Sequence, residues 1–176
     1  MAERRFNPLT GEWVIVSPTR VTRPWQGEQA PVAQALPEWS AECYLCPRNQ
    51  RSSGMANPDY RGVFVFDNDF PAIDATAAAG SEAPLFRRET IRGRCRVLCF
   101  SGRHDQTLAT IDTAAMLAVI DTWSNECALL GREHAWVQIF ENKGHMMGCS
   151  SEHPHGQIWA TSAVPTLPAR EDVQQR

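Results

Sequence analysis

The chain has 176 residues, 43% of them hydrophobic and 21% charged, with a formal net charge of −3. Those values suit one globular domain with its own core, exclude a disordered chain, and argue against a nucleic-acid partner. No apolar run approaches the roughly 20 residues of a membrane-spanning helix. The opening "MAERRFNPLTGEWV" lacks the apolar stretch of a secretory signal, so a cytoplasmic address without membrane association is expected.

"EWVIVSP" (12–18) predicts a first strand, closed by Pro18. Residues 19–42 are rich in Pro and Gln and predict an irregular arm. "RGVFVFDNDFPA" (61–72) predicts a strand running into a polar turn, and 73–84 a surface loop. "GRCRVLCFS" (93–101) is another strand, with Cys95, Val97 and Cys99 alternating onto one apolar face, the thiols packing as small hydrophobes. Across 111–131, Met116, Ile120, Trp123, Cys127 and Leu130 recur at helical spacing and Gly131 is placed to end the helix. "HAWVQIFENKG" (134–144) and "HGQIWATSAV" (155–164) return to strand, and "TLPAREDVQQR" turns polar with no closing element. The order predicts an α+β fold, an antiparallel sheet with one long helix, as a single domain over 1–176.

Five stretches could carry chemistry. Cys43 and Cys46 form C-x-x-C, which fits half a zinc site or a redox pair. A redox pair belongs at the start of a helix, whereas Pro47 and "RNQRSSG" follow here. Four tetrahedral ligands would be completed by His104 and His153, the alternative being an incidental cysteine pair beside unrelated histidines. In "HPHGQ", an extended chain would set His153, His155 and Gln157 on one face, with Pro154 and Gly156 facing away. An imidazole whose other N–H is taken by a backbone carbonyl holds one tautomer and offers a lone pair, so His155 fits a nucleophile towards phosphorus. Gln157 could then hydrogen-bond the non-bridging oxygens, and Gly156 leave space for a phosphate. The bland alternative is a pair of hydrogen-bonded core histidines. The loop 141–151, "ENKGHMMGCSS", brings glycines, Cys149 and Ser150 straight into that segment, with backbone N–H groups able to approach phosphate. Arg20 and Arg23 offer guanidinium groups for phosphate, and Asn68 and Asp69 in "FDNDF" either contact a ribose or cap a turn.

The stretches "RFNPLTGEWVIVSPTRVTRPWQG", "CYLCP", "NPDYRGVFVFDNDFPA", "WVQIFENKG" and "MGCSSEHPHGQIWA" together resemble, in order and wording, the galactose-1-phosphate uridylyltransferase family of the histidine-triad superfamily. The resemblance spans roughly residues 6–172 and implies a histidine-triad-like domain, the N-terminal half of a protein about twice this size. It implies exchange of UMP between UDP-glucose and galactose 1-phosphate by a ping-pong route, with His155 as nucleophile and Gln157 steadying the phosphoryl group. Asn68, Asp69, Asn142, Gly148, Cys149 and Ser150 match the nucleotide pocket, and Arg20 and Arg23 match arm residues that bind nucleotide across a homodimer. Cys43, Cys46, His104 and His153 match structural zinc ligands. Glu171 matches a ligand of a second metal, often iron, whose other ligands belong to the missing half. Ser151 and Glu152 depart from the family's usual Asn-Pro. Two other functions stand beside this one: a zinc-stabilised UDP-sugar-binding module that turns over only with a partner chain, and a hydrolase of other nucleotides.

Overall fold

The computed structural model describes residues 2–22, 24, 35–76, 83, 85–144, 147–149 and 151–176, except for the side chains of 19 and 20. They form two compact units, one from the described residues within 1–34 and 164–176 and one from those within 35–163. Among the described residues no helix is long and apolar enough to cross a membrane.

The larger unit is built on a four-stranded antiparallel sheet in the order β3-β4-β6-β5, from Phe64–Asp67, Gly93–Cys99, His155–Thr161 and Trp136–Phe140. Each of these strands was expected, with ends up to five residues shorter than the apolar pattern suggested. Register sets the two faces: Cys95, Val97 and Cys99 oppose Trp159, Gln157 and His155, while Arg94, Arg96 and Leu98 oppose Ala160, Ile158 and Gly156. The second face buries Leu98, Ile158 and Ala160 together with Phe100 and Val119. The first buries Val97 and Cys99 in a cluster with Cys43, Leu45 and Cys46. The sheet therefore packs on both sides, a helix on one and the C-x-x-C loop on the other.

That helix, α1, runs Thr113–Leu130. Asp112 starts it by accepting the Ala115 N–H on Oδ1 at 2.8 Å, which satisfies one of the first-turn donors. Gly131 ends it, its N–H donating to the Cys127 carbonyl. The apolar stripe differs from expectation at one place. Val119 is fully buried, whereas Ile120 is 43% exposed. One residue is about 100° of helix turn, so centring the inward face on Val119, Trp123 and Leu130 swings Ile120 out to solvent. Trp123 meets Phe100 edge-on, ring centroids 6.0 Å apart. Arg96 and Glu126 pair across the sheet–helix layer with little exposure of either side chain.

The smaller unit contains a strand the sequence pattern missed. β1 (Glu3–Asn7) pairs antiparallel with β2 (Glu12–Val16). Its composition, Glu-Arg-Arg-Phe-Asn, carries no apolar alternation, so the signal lies in the turn. Asn7 Oδ1 accepts the Leu9 N–H at 3.0 Å, and Gly11 takes φ of +70° while its N–H reaches the Asn7 carbonyl, a conformation that suits glycine. Residues 18–22 form a short 3₁₀ turn. The terminal stretch, expected to lack a closing element, is a helix, α2 (Thr166–Gln175), entered from an extended Pro165. Its polar sequence hid it because no residue of it is buried, leaving no apolar stripe to read.

Candidate functional site

The C-x-x-C loop is held by its own backbone carbonyls. The Asn49 amide donates to the carbonyls of Ser40 and Cys43 at 2.8 Å each, and the Asn57 amide to those of Tyr44 and Cys46 at 2.9 and 3.0 Å. These bonds turn both thiols inward. His104 and His153 close the group, and the four ligand atoms lie within 4.8 Å of one another, all four residues buried. Cys46 Sγ is 3.6 Å from His104 Nδ1 and 3.5 Å from His153 Nδ1. Metal–sulfur and metal–nitrogen bonds of about 2.3 and 2.0 Å set neighbouring ligands of a tetrahedral zinc about 3.5 Å apart. The spacing therefore fits a metal ion of that kind better than a thiol hydrogen bond.

Electrostatics agree with that fit. Burial holds the His153 imidazole down at about 4, helped by neighbouring His104 and opposed by the Ser101 carbonyl. Burial likewise lowers His104. Both rings are thus neutral ligands at pH 7. His153 Nε2 lies 2.9 Å from the Ser101 carbonyl and 2.9 Å from Tyr60 Oη. A carbonyl can only accept, so Nε2 carries the hydrogen and Nδ1 keeps its lone pair for the cluster, an outer contact that fixes the ligand's tautomer. Burial pushes the Cys46 thiol up to about 11, a cost that a bound cation offsets by stabilising the thiolate.

Two residues on, His155 opens β6 and turns to the other business of the segment. Its Nδ1 lies 2.8 Å from the His153 carbonyl, so Nδ1 donates and Nε2 carries the lone pair. His153 therefore supplies its ring to the cluster and its backbone oxygen to His155. A cleft of about 420 Å³ lies at this position. It brings together Asn68, Asp69, Asn142, Gly148, Cys149, His155 and Gln157, all singled out from the sequence. Gly148 sits at φ +69° and Gly144 at +83°, and the Met147 and Cys149 N–H groups both reach the Gly144 carbonyl. Behind Asp69, the buried Arg51 guanidinium lies 4.1 Å above the Phe66 ring and 3.6 Å from the Asp69 carboxylate.

Sequence reasoning missed the apolar wall of the cleft: Tyr44, Leu45, Phe66, Phe70 and Val97, with Ser52 beside them. A signal was present. Phe66, Val97 and Gln157 stand in register across β3, β4 and β6, so strand alternation from Gln157 would have found two of them. Tyr44 lies between Cys43 and Cys46, and a loop pinned on both sides presents its middle residues. Gly156 corrects the expected role. It faces away from His155, and a Cβ there would lie 2.9 Å from the Phe100 ring and 3.0 Å from the Phe140 carbonyl. Its smallness serves the packing of the helix face, not a phosphate. Glu152 is exposed and does not line the cleft. Arg23 and Ser150 lie outside the described residues, as does the side chain of Arg20. Glu171 is on α2, and among the described residues no group of three or more metal-ligating side chains includes it.

Fold and site define a class: an α+β domain with a Cys2His2 cluster that could hold a metal ion and, two residues along the same segment, a histidine whose Nε2 carries the lone pair in a mixed polar and apolar cleft. Residues 1–165 match the family model for the N-terminal domain of galactose-1-phosphate uridyl transferase. The chain is 50% identical over 98% of its length to a galactose-1-phosphate uridylyltransferase of Haemophilus influenzae, covering 50% of that protein. It is 47% identical over 98% of its length to the one from Rattus norvegicus, covering 46% of it. The chain belongs to the galactose-1-phosphate uridylyltransferase family, and spans about half the length of these curated relatives. Solved structures share its fold: a uridylyltransferase at TM-score 0.62 and 24% identity, covering 99% of this chain and 50% of that one. An ADP-glucose phosphorylase from Arabidopsis thaliana with bound ADP-glucose matches at TM-score 0.68 and 21% identity, over 97% of this chain and 52% of that one.

Proposed function

We propose that this chain carries the nucleotide-transfer centre of a uridylyltransferase that exchanges UMP between UDP-glucose and galactose 1-phosphate through a covalent uridylyl-histidine at His155. The observation that carries the reading is the hydrogen bond from His155 Nδ1 to the His153 carbonyl at 2.8 Å, in a cleft that also holds Gln157, Asn68 and Asp69. It fixes the tautomer that a nitrogen nucleophile needs.

Nε2 of His155 attacks the α-phosphorus of UDP-glucose. The P–N bond forms as the bond to the bridging oxygen breaks, and glucose 1-phosphate leaves with that oxygen. A phosphate oxygen of galactose 1-phosphate then attacks the same phosphorus, the P–N bond breaks, and UDP-galactose departs, leaving His155 as it began. The His153 carbonyl stabilises the positive charge that the ring carries while it is uridylylated. Charge that grows on the non-bridging oxygens is met by amide and backbone donors, such as Gln157 and the Gly148 N–H. The rings of Phe66, Phe70 and Tyr44 suit one face of a planar base. Cys43, Cys46, His104 and His153 would hold zinc, which supplies rigidity to the start of β6. Arg20, Arg23 and Ser150 stand as further nucleotide contacts, the arginines across a homodimer, and Glu171 as a ligand of an iron site completed by residues outside this chain.

An intact mass spectrum after incubation with UDP-glucose tests the reading. A uridylyl adduct is expected on the wild type and not on His155→Ala at equal metal content. An adduct that survives the substitution removes His155 from its role. Binding of UDP-glucose with no adduct would make the chain a metal-stabilised UDP-sugar-binding module.

A further inference from the structure

We infer that Trp159 is a positioning residue that fixes which end of the Gln157 amide faces the reacting phosphoryl group. The inference deepens the transfer reading above and rests on it. Trp159 follows Gln157 by two residues on β6 and so stands on the same face of the sheet. Its indole Nε1 lies 3.0 Å from Gln157 Oε1. An indole nitrogen is a donor only, whereas a glutamine amide offers an oxygen that accepts and an NH₂ that donates. The contact therefore has one satisfied orientation: oxygen towards the indole, NH₂ turned away from it. Gln157 lines the cleft beside His155, so the end left for the cleft is the donor end.

That orientation matters because a glutamine amide is nearly symmetric in shape. Flipped, it would present a carbonyl oxygen to a phosphoryl group already rich in negative oxygens, and the contact would turn from attractive to repulsive. Trp159 is itself held in place. Its ring meets Phe140 edge-on at 5.5 Å between centroids, and Phe140 is the β5 residue paired with Gln157. The three side chains therefore form one unit: Phe140 sets the indole, the indole sets the amide oxygen, and the amide presents its two hydrogens. Neither Trp159 nor Phe140 lines the cleft, so neither touches the reacting atoms, and both act through Gln157.

The test uses the full chain as wild type, Trp159→Phe and Gln157→Leu. Trp159→Phe keeps an aromatic ring against Phe140 and removes the donor together with part of the indole. Proton–nitrogen spectra come first. In Gln157→Leu the Trp159 indole N–H resonance, assigned by its absence from Trp159→Phe, should move upfield as its acceptor is lost. An unmoved resonance overturns the inference whatever the enzymology. Rates of uridylyl-adduct formation from UDP-glucose come second. Trp159→Phe should form adduct on the order of tenfold more slowly and lose less than that in UDP-glucose binding, because the charge that Gln157 meets grows as the bridging bond breaks. An unchanged rate, or a loss that lies wholly in binding, overturns it. If the wild type itself forms no adduct, the transfer reading fails by that result, and the indole resonance still decides the contact.

Discussion

The two compact units are made on opposite terms. In residues 35–163, Leu98, Cys99, Val119, Ile158 and Ala160 are fully buried, and a buried cluster that could hold a metal ion brings residues 43 and 46 to 104 and 153. In the unit of β1, β2 and α2, no described residue is buried, and Trp13, Ile15 and Val173 are more than half exposed. The first is held by layers packed on both faces of a sheet and by distant residues meeting at one point. The second is held by a hairpin ladder, a turn, and an ion pair of Arg170 with Glu12. Exposed pairs of that kind contribute little. A nucleophile must keep its geometry to fractions of an ångström, and the whole cleft lies in the unit that can supply such order.

Removing the metal should break that contrast most. With a chelator, or in Cys46→Ser, two buried histidines and a thiol lose the charge that organises them, and thermal unfolding should begin on the order of 10 °C lower. Calorimetry with and without added zinc reads this, and an unchanged melting temperature in zinc-loaded and stripped protein would mean that the cluster holds no metal. Next comes the core itself. Phe100→Ala removes a ring packed against Trp123 and beside Gly156 and should cost about 3–5 kcal/mol in urea unfolding.

Acid should act on the metal-free larger unit through His153. Its folded value of about 4 lies below the unfolded 6.5, so the unfolded chain takes up the proton first. Stability is therefore full above about pH 6.5 and falls as pH drops towards 4, by roughly 3 kcal/mol across that window. Urea midpoints at pH 7, 5.5 and 4.5 measure the slope, and His153→Gln should flatten it. The smallest effect belongs to the hairpin. Ile15→Ser, at a site 79% exposed, should change unfolding free energy by no more than about 0.5 kcal/mol. A cost like that of Phe100→Ala would show that the exposed ladder shares the stability of the core.

How the segment 147–160 reads illustrates what pattern alone can and cannot reach. Alternation placed His155 and Gln157 on one face, and register bears this out. The same alternation put Gly156 on the opposite face, where what it met could not be seen, so a spacing argument assigned it to phosphate when Phe100 is its neighbour. Cys43, Cys46, His104 and His153 were legible as ligand types at a plausible spacing, but local order left a redox pair open. Tyr60, which contacts His153, carried no signal, because its role depends on a residue 93 positions away. β1 and α2 were missed for a common reason. Both lack a buried stripe, and hydrophobic period is the signal that sequence reading relies on.

By itself, the sequence determined the strands of the main sheet, the helix between them, the four ligand types and the identity of the histidine that faces the cleft. The strands and the helix depend on period and on punctuation by glycine and proline, which are local, whereas the ligand set and the histidine of the cleft rest on side-chain chemistry together with the family resemblance. Tertiary structure alone decided that the ligands converge, that the His153 carbonyl sets the His155 tautomer, that an apolar wall completes the cleft, and that Trp159 orients Gln157. Each of these is a contact whose direction depends on how the chain returns to itself, and direction is what a hydrogen bond requires.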